Sequence, residues 1–290
     1  MSTTTATPVP APDAAPAALG GWTPLSRKAF LALLRRDLTV LRKELRPFVA
    51  RTVMQPLLIL FVFTYVFPRI GQGIGGGGAA EGPAQSAFTT LLVGGVLGST
   101  MIFQGIQAVA LPMVQDFGFT REIEDRVLAP IPVAGIALQK VVSGAIQALL
   151  AALVVLPLSL VVPANDVRFA IDWPIVLTFL PLAALLASSL GLVVGTRVEP
   201  RQVALVFSLL VIPMTFLGAV YYPWASLDPL PWLKWAVLVN PLIYMSEGVR
   251  TGLTDAVPHM DPLAVYGACV AFTAAFLWVG VAGFRRRVLS

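Results

Sequence analysis

Histidine and cysteine each occur once in the 290 residues, as His259 and Cys269. One cysteine excludes an intrachain disulfide, and one histidine cannot build a metal site alone. Charge is scarce as well. Asp, Glu, Lys and Arg make up 12% of the chain, against roughly 25% in soluble domains. No G-x-x-x-x-G-K-[ST] occurs, and the glycine-rich string PRIGQGIGGGG has neither a strand before it nor a Lys-Ser/Thr after it. It reads as an external linker and not as a phosphate loop. There is no H-E-x-x-H, no Ser/His/Asp set and no pair of carboxylates within an apolar run, so no catalytic or metal-binding residue is expected. Residues 1–21 lack the basic start and apolar core of a signal peptide; being Ala-, Pro- and Thr-rich, they are expected to form a disordered cytosolic tail.

What the chain does have is apolar length. Hydrophobic residues make up 57% of it, and Gly82–Gln115 and Val141–Asn165 contain no Asp, Glu, Lys or Arg. About 20 apolar helical residues cross a bilayer. The expectation is an all-α integral membrane protein with a six-span domain over 47–290. Its spans are Phe48–Phe67, Ala87–Leu111, Ala134–Val161, Trp173–Gly195, a fifth starting near Gln202, and Pro262–Phe284. Prolines at 213, 223, 229, 231 and 241 forbid one continuous helix after the fifth start. Trp235–Ser246 is uncharged but too short to span, which suits a re-entrant or interfacial piece. Tyr221, Tyr222, Trp224, Trp232 and Trp235 resemble an interfacial aromatic belt. The span cores lack acids and bases, which argues against a proton-driven carrier.

Ahead of the first span, residues 22–46 form an amphipathic helix. Thr23 can cap it, Pro24 suits its first turn, and Leu34, Leu38, Leu41, Leu45 and Phe48 make one stripe. Arg35, Arg36, Arg42 and Lys43 lie on the other faces. Such a helix rests on anionic membrane lipids, packs on a soluble partner, or does both. With six spans, sixteen Lys and Arg fall on the side of the termini, while Arg69, Arg168, Lys234 and Arg250 fall on the other. The positive-inside rule then makes both termini cytosolic. It also accounts for the net charge of +5 without nucleic acid.

Between spans two and three lies the charge-dense island FGFTREIEDRVLAPIP, residues 117–132. Thr120 can cap a short helix there, and Glu122, Glu124 and Asp125 suit its first turn, with Arg121 and Arg126 beside them. It is either a solvated loop or a cytosolic helix that carries force from a soluble partner into the membrane. Within the spans, Gln104 and Gln107 share a helix face; with Gln147 they line a path or hydrogen-bond between helices. Phe103, Phe207 and Phe216 suit packing or cargo contact. Glu247 and Arg250, three apart, form a structural pair at the external interface or take part in a gate with Asn240.

Three strings, QPLLILFVFTYVF (55–67), REIEDRVLAPIPVAGIALQK (121–140) and NPLIYMSEGVR (240–250), resemble the permease subunits of type-2 ABC exporters, in particular the drug- and antibiotic-export branch. The resemblance implies a plasma-membrane exporter of an amphipathic or hydrophobic compound. It implies a separate cytosolic ATPase that holds ATP and Mg, with no cofactor in this chain, and a second permease copy. Glycan or lipid-linked polysaccharide export, and a non-transporting scaffold, are the alternatives. It further implies that Thr120, Arg121, Glu122, Glu124, Asp125 and Arg126 contact the ATPase, and that re-entrant helices over 223–250 cap the outer end of the path. REIEDR stands where many members have Arg-Glu followed by Gly-Thr, a departure that bears on the contact geometry and not on its location.

Overall fold

The computed structural model describes residues 23–70, 83–117, 131–163, 167, 169–255 and 258–289. The described residues are helical, with short connections. Helix α1 spans Pro24–Lys43 and starts as expected. The Thr23 hydroxyl accepts from the Ser26 amide at 3.1 Å, and the Ser26 hydroxyl accepts back from the Thr23 amide at 3.4 Å. This is a reciprocal cap with serine in the usual place of Glu. The chain leaves helical geometry at Glu44 (φ −100°, ψ 16°), and α2 follows over Leu45–Arg69. Pro47 sits in the first turn of α2, where its missing N–H has no intrahelical acceptor to lose. The break rotates the predicted stripe. Leu41 and Phe48 pack against Ala151, but Leu45 is left 39% exposed. The helix runs through Pro56 to Phe61, and a π-helical segment over Val62–Val66 follows.

The long helices that follow are α3 (Pro83–Gln115), α4 (Val133–Val161) and α5 (Trp173–Arg197). Three shorter ones come next: α6 (Val203–Phe216), α7 (Pro231–Ala236) and α8 (Pro241–Leu253). Last is α9 (Pro262–Leu289). Five of these, α2, α3, α4, α5 and α9, are long and apolar enough to cross a membrane. The expected fifth span is shorter: α6 has 14 residues, about 21 Å of helix against a hydrocarbon layer of about 30 Å. It stops because Leu217 leaves the helix and Ala219 takes a left-handed φ of 53°. The piece expected over Trp235–Ser246 is likewise broken. A 3-10 turn over Val237–Val239 extends α7, and Asn240 caps α8 by accepting from the Leu242 amide at 3.0 Å.

Helix α3 is the axis of the bundle, packed by α4, α5 and α8. Small residues permit that closeness. A methyl group on Gly105 would meet the Ala187 Cβ at 2.5 Å, and one on Gly95 would meet the Val220 carbonyl oxygen at 2.1 Å. The outer faces are apolar: Met54 and Leu58 on α2, Leu205, Leu209, Ile212 and Phe216 on α6, and Leu263 and Trp278 on α9 are all exposed. That is the reverse of a soluble surface and suits lipid.

Candidate functional site

The bundle has two polar regions, one at each end. The near end gathers α1, the start of α2, the end of α3, the start of α4 and the end of α9. Here Lys140 Nζ lies 3.3 Å from Asp116 Oδ2, with both side chains at most 10% exposed. Next to Lys140, Gln139 donates from Nε2 to Asp37 Oδ2 at 2.8 Å, which ties α1 to α4. These groups border a cleft of about 540 Å³ between α1, α2, α3 and α4. Arg36, Arg51, Gln107 and Gln147 line it together with Asp37, Glu44, Asp116 and Lys140, and Leu41, Phe48 and Leu111 form its apolar wall. On the neighbouring face, Arg287 Nη1 donates to the carbonyls of Gly195, Thr196 and Val198 at 3.2–3.4 Å, capping α5, and its guanidinium lies over the Phe117 ring.

At the far end the short helix α6 creates a physical problem. Its end leaves the chain irregular around the buried Ala219 and Val220, where unpaired backbone groups are costly. Arg250 solves it. Its Nε donates to the Leu91 carbonyl at 3.1 Å, Nη2 to the carbonyls of Ala219 and Val220, and Nη1 to Glu247 Oε1 at 3.0 Å. Glu247 in turn accepts the Trp224 amide at 2.9 Å on Oε1 and the Met260 amide at 3.1 Å on Oε2. The two side chains are 0% and 1% exposed, so the pair is buried within the protein. Asn240, expected with them in a gate, donates from Nδ2 to the Met214 carbonyl at 2.9 Å and so joins α8 to α6.

The remaining expected site residues fall in different places. Thr120, Arg121, Glu122, Glu124, Asp125 and Arg126 lie outside the described residues. Arg35, Arg36, Arg42 and Lys43 are exposed along α1. Phe103 is 5% exposed within the core, whereas Phe216 is exposed on α6. Gln107 and Gln147 meet in the cleft, but Gln104 does not: it is buried, with its Nε2 unpartnered. Sequence reasoning missed the Asp116–Lys140 pair and the Asp37–Gln139 bond. The available signal was that Asp116 and Lys140 are the charges at which the two uncharged runs stop. Among the described residues no cluster of three or more His, Cys, Asp or Glu could hold a metal ion.

Membrane-length helices, an apolar exterior and polar groups gathered at the two ends define a multi-pass integral membrane protein. The chain belongs to the ABC-2 type transporter family, which it matches over residues 28–254. It is similar to the inner membrane transport permease YadH of Escherichia coli K12, 28% identical over 243 residues that cover 81% of this chain and 88% of that protein. The same figures hold for the protein of that name from Shigella flexneri. The chain is thus an ABC-2 permease, a membrane transport component of the kind that works with an ABC ATPase, in the plasma membrane.

Proposed function

We propose that this chain is the permease of an exporter that moves an amphipathic or hydrophobic compound out of the cell, as a pair of copies driven by a separate cytosolic ATPase. In this reading the near end faces the cytosol, α6 is a shortened fifth crossing, and α7 and α8 are re-entrant helices at the outer end. Residues 120–126 receive force from the ATPase, and α1 lies along the inner leaflet beside them. The observation that carries the reading is the near-end cluster. Asp116 and Lys140, on either side of the 117–132 island, pair with each other, and the neighbouring Gln139 holds α1 through Asp37. A displacement of the island would thereby reach α1, α3 and α4 together.

The test is co-purification with the ATPase, followed by ATP turnover and export in lipid vesicles. The double variant Glu122→Ala, Arg126→Ala should still insert in the membrane and still permit ATP hydrolysis, but with export uncoupled from it. Unchanged export would overturn the coupling assignment. A thiol probe that reached a cysteine at position 124 from outside intact cells would overturn the orientation.

A further inference from the structure

Most polar groups at the near end are engaged, but four side chains in the cleft are not. Arg51, Glu44, Gln107 and Gln147 have no hydrogen-bond or ion-pair partner within the described protein. Their order along the cleft is informative. Glu44 stands at the head of α2, and Arg51 lies seven residues on, about 10 Å along the axis. Gln107 and Gln147 lie about 10–13 Å further into the bundle than Asp116 and Lys140, measured along α3 and α4. Both are half-buried, and Leu41, Phe48 and Leu111 complete the wall. Amides at that depth beside apolar side chains are open to a polar group of a ligand. Beside the engaged Arg36, Asp37, Asp116 and Lys140, the cleft therefore offers one unengaged anion, one unengaged cation, two amides and an apolar wall.

We infer that this cleft binds a zwitterionic amphiphile entering from the adjoining leaflet. Its cationic group sits at Glu44 near the water, its anionic group at Arg51, its ester or hydroxyl linkage at Gln107 and Gln147, and its tail runs along Leu111. A purely anionic headgroup would leave Glu44 opposed, and a purely cationic one would leave Arg51 opposed. A volume of about 540 Å³ holds such a headgroup and the first part of its tail. The inference rests on the exporter reading for its role, as the loading site for cargo, but not for its chemistry.

The experiment titrates the full chain in detergent with three dioleoyl probes, read by native mass spectrometry. The probes are phosphatidylethanolamine (zwitterionic), phosphatidylglycerol (anionic) and trimethylammonium propane (cationic). The native chain should retain the zwitterion best. Arg51→Gln should lower that retention about tenfold, the loss of one charge-assisted hydrogen bond. Glu44→Gln should abolish the preference for zwitterion over anion, and Gln107→Leu with Gln147→Leu should weaken all three arms. Tailless phosphoethanolamine should not displace the bound lipid. Equal retention of all probes by native and variant chains, a native preference for the anionic or cationic probe, or displacement by phosphoethanolamine would each overturn the site. All these side chains border open space, so thermal melting should show the variants folded. Export by the complex is measured separately; a coupled exporter without lipid selectivity would refute this site and leave the exporter reading standing.

Discussion

The two ends of the bundle treat the same side-chain chemistry in opposite ways. At the far end Arg250 and Glu247 are sealed from solvent, and both carboxylate oxygens and every guanidinium nitrogen have a partner. At the near end Arg51, Gln107 and Gln147 face an open cleft without one. A buried, fully engaged polar network fixes one backbone arrangement; polar groups left open inside an apolar wall are available for a ligand. The far end is therefore architecture, and the near end is where the proposed ligand would bind.

Substitutions can break that contrast. The largest effect belongs to Arg250→Met, which orphans the Leu91, Ala219 and Val220 carbonyls and leaves Glu247 a buried charge without its cation. The expected loss is about 3–5 kcal/mol, read from chemical or thermal unfolding in detergent and from membrane yield. Next is Gly95→Ala, whose methyl would meet the Val220 carbonyl oxygen at 2.1 Å. Overpacking against backbone should cost about 3 kcal/mol by the same assay. Asp116→Asn removes the negative partner of Lys140, and a loss of about 1.5 kcal/mol is expected, together with weaker coupling of ATP turnover to export. The smallest is Gln147→Leu, which breaks no bond within the protein and should shift stability by no more than about 0.5 kcal/mol. If Gln147→Leu proved as destabilising as Asp116→Asn, the near end would be architecture too.

Features set by neighbouring residues were legible before the structure. Thr23 and Pro24 announce the start of α1 because capping is satisfied within one turn. The uncharged runs announce α3 and α4, and the prolines after 213 announce a broken region. Partners distant in the chain were not legible. Glu247 and Arg250 sit at pairing distance along a helix, but nothing in that spacing says that Arg250 reaches Leu91, 159 residues away, or the carbonyls where α6 ends. Gln104 and Gln107 project about 60° apart around α3, so a face broad enough to include both in the sequence was divided once α2 and α4 decided which one met the cleft. The stripe through Leu45 failed because the helix breaks at Glu44, where the ring of Pro47 opposes the Lys43 carbonyl, two residues before the end at 46 that the sequence suggested.

The brevity of α6 has an effect beyond the protein itself. Leu205, Leu209, Ile212 and Phe216 present an oily strip about 21 Å tall to whatever adjoins it, roughly a third less than an ordinary bilayer core. With α6 as the proposed fifth crossing, phospholipids beside that strip would compress or tilt, at a cost of fractions of a kcal/mol per ångström. That reading would make the protein sensitive to acyl-chain length: short-chain membranes would relax around α6, and long-chain ones would strain against it.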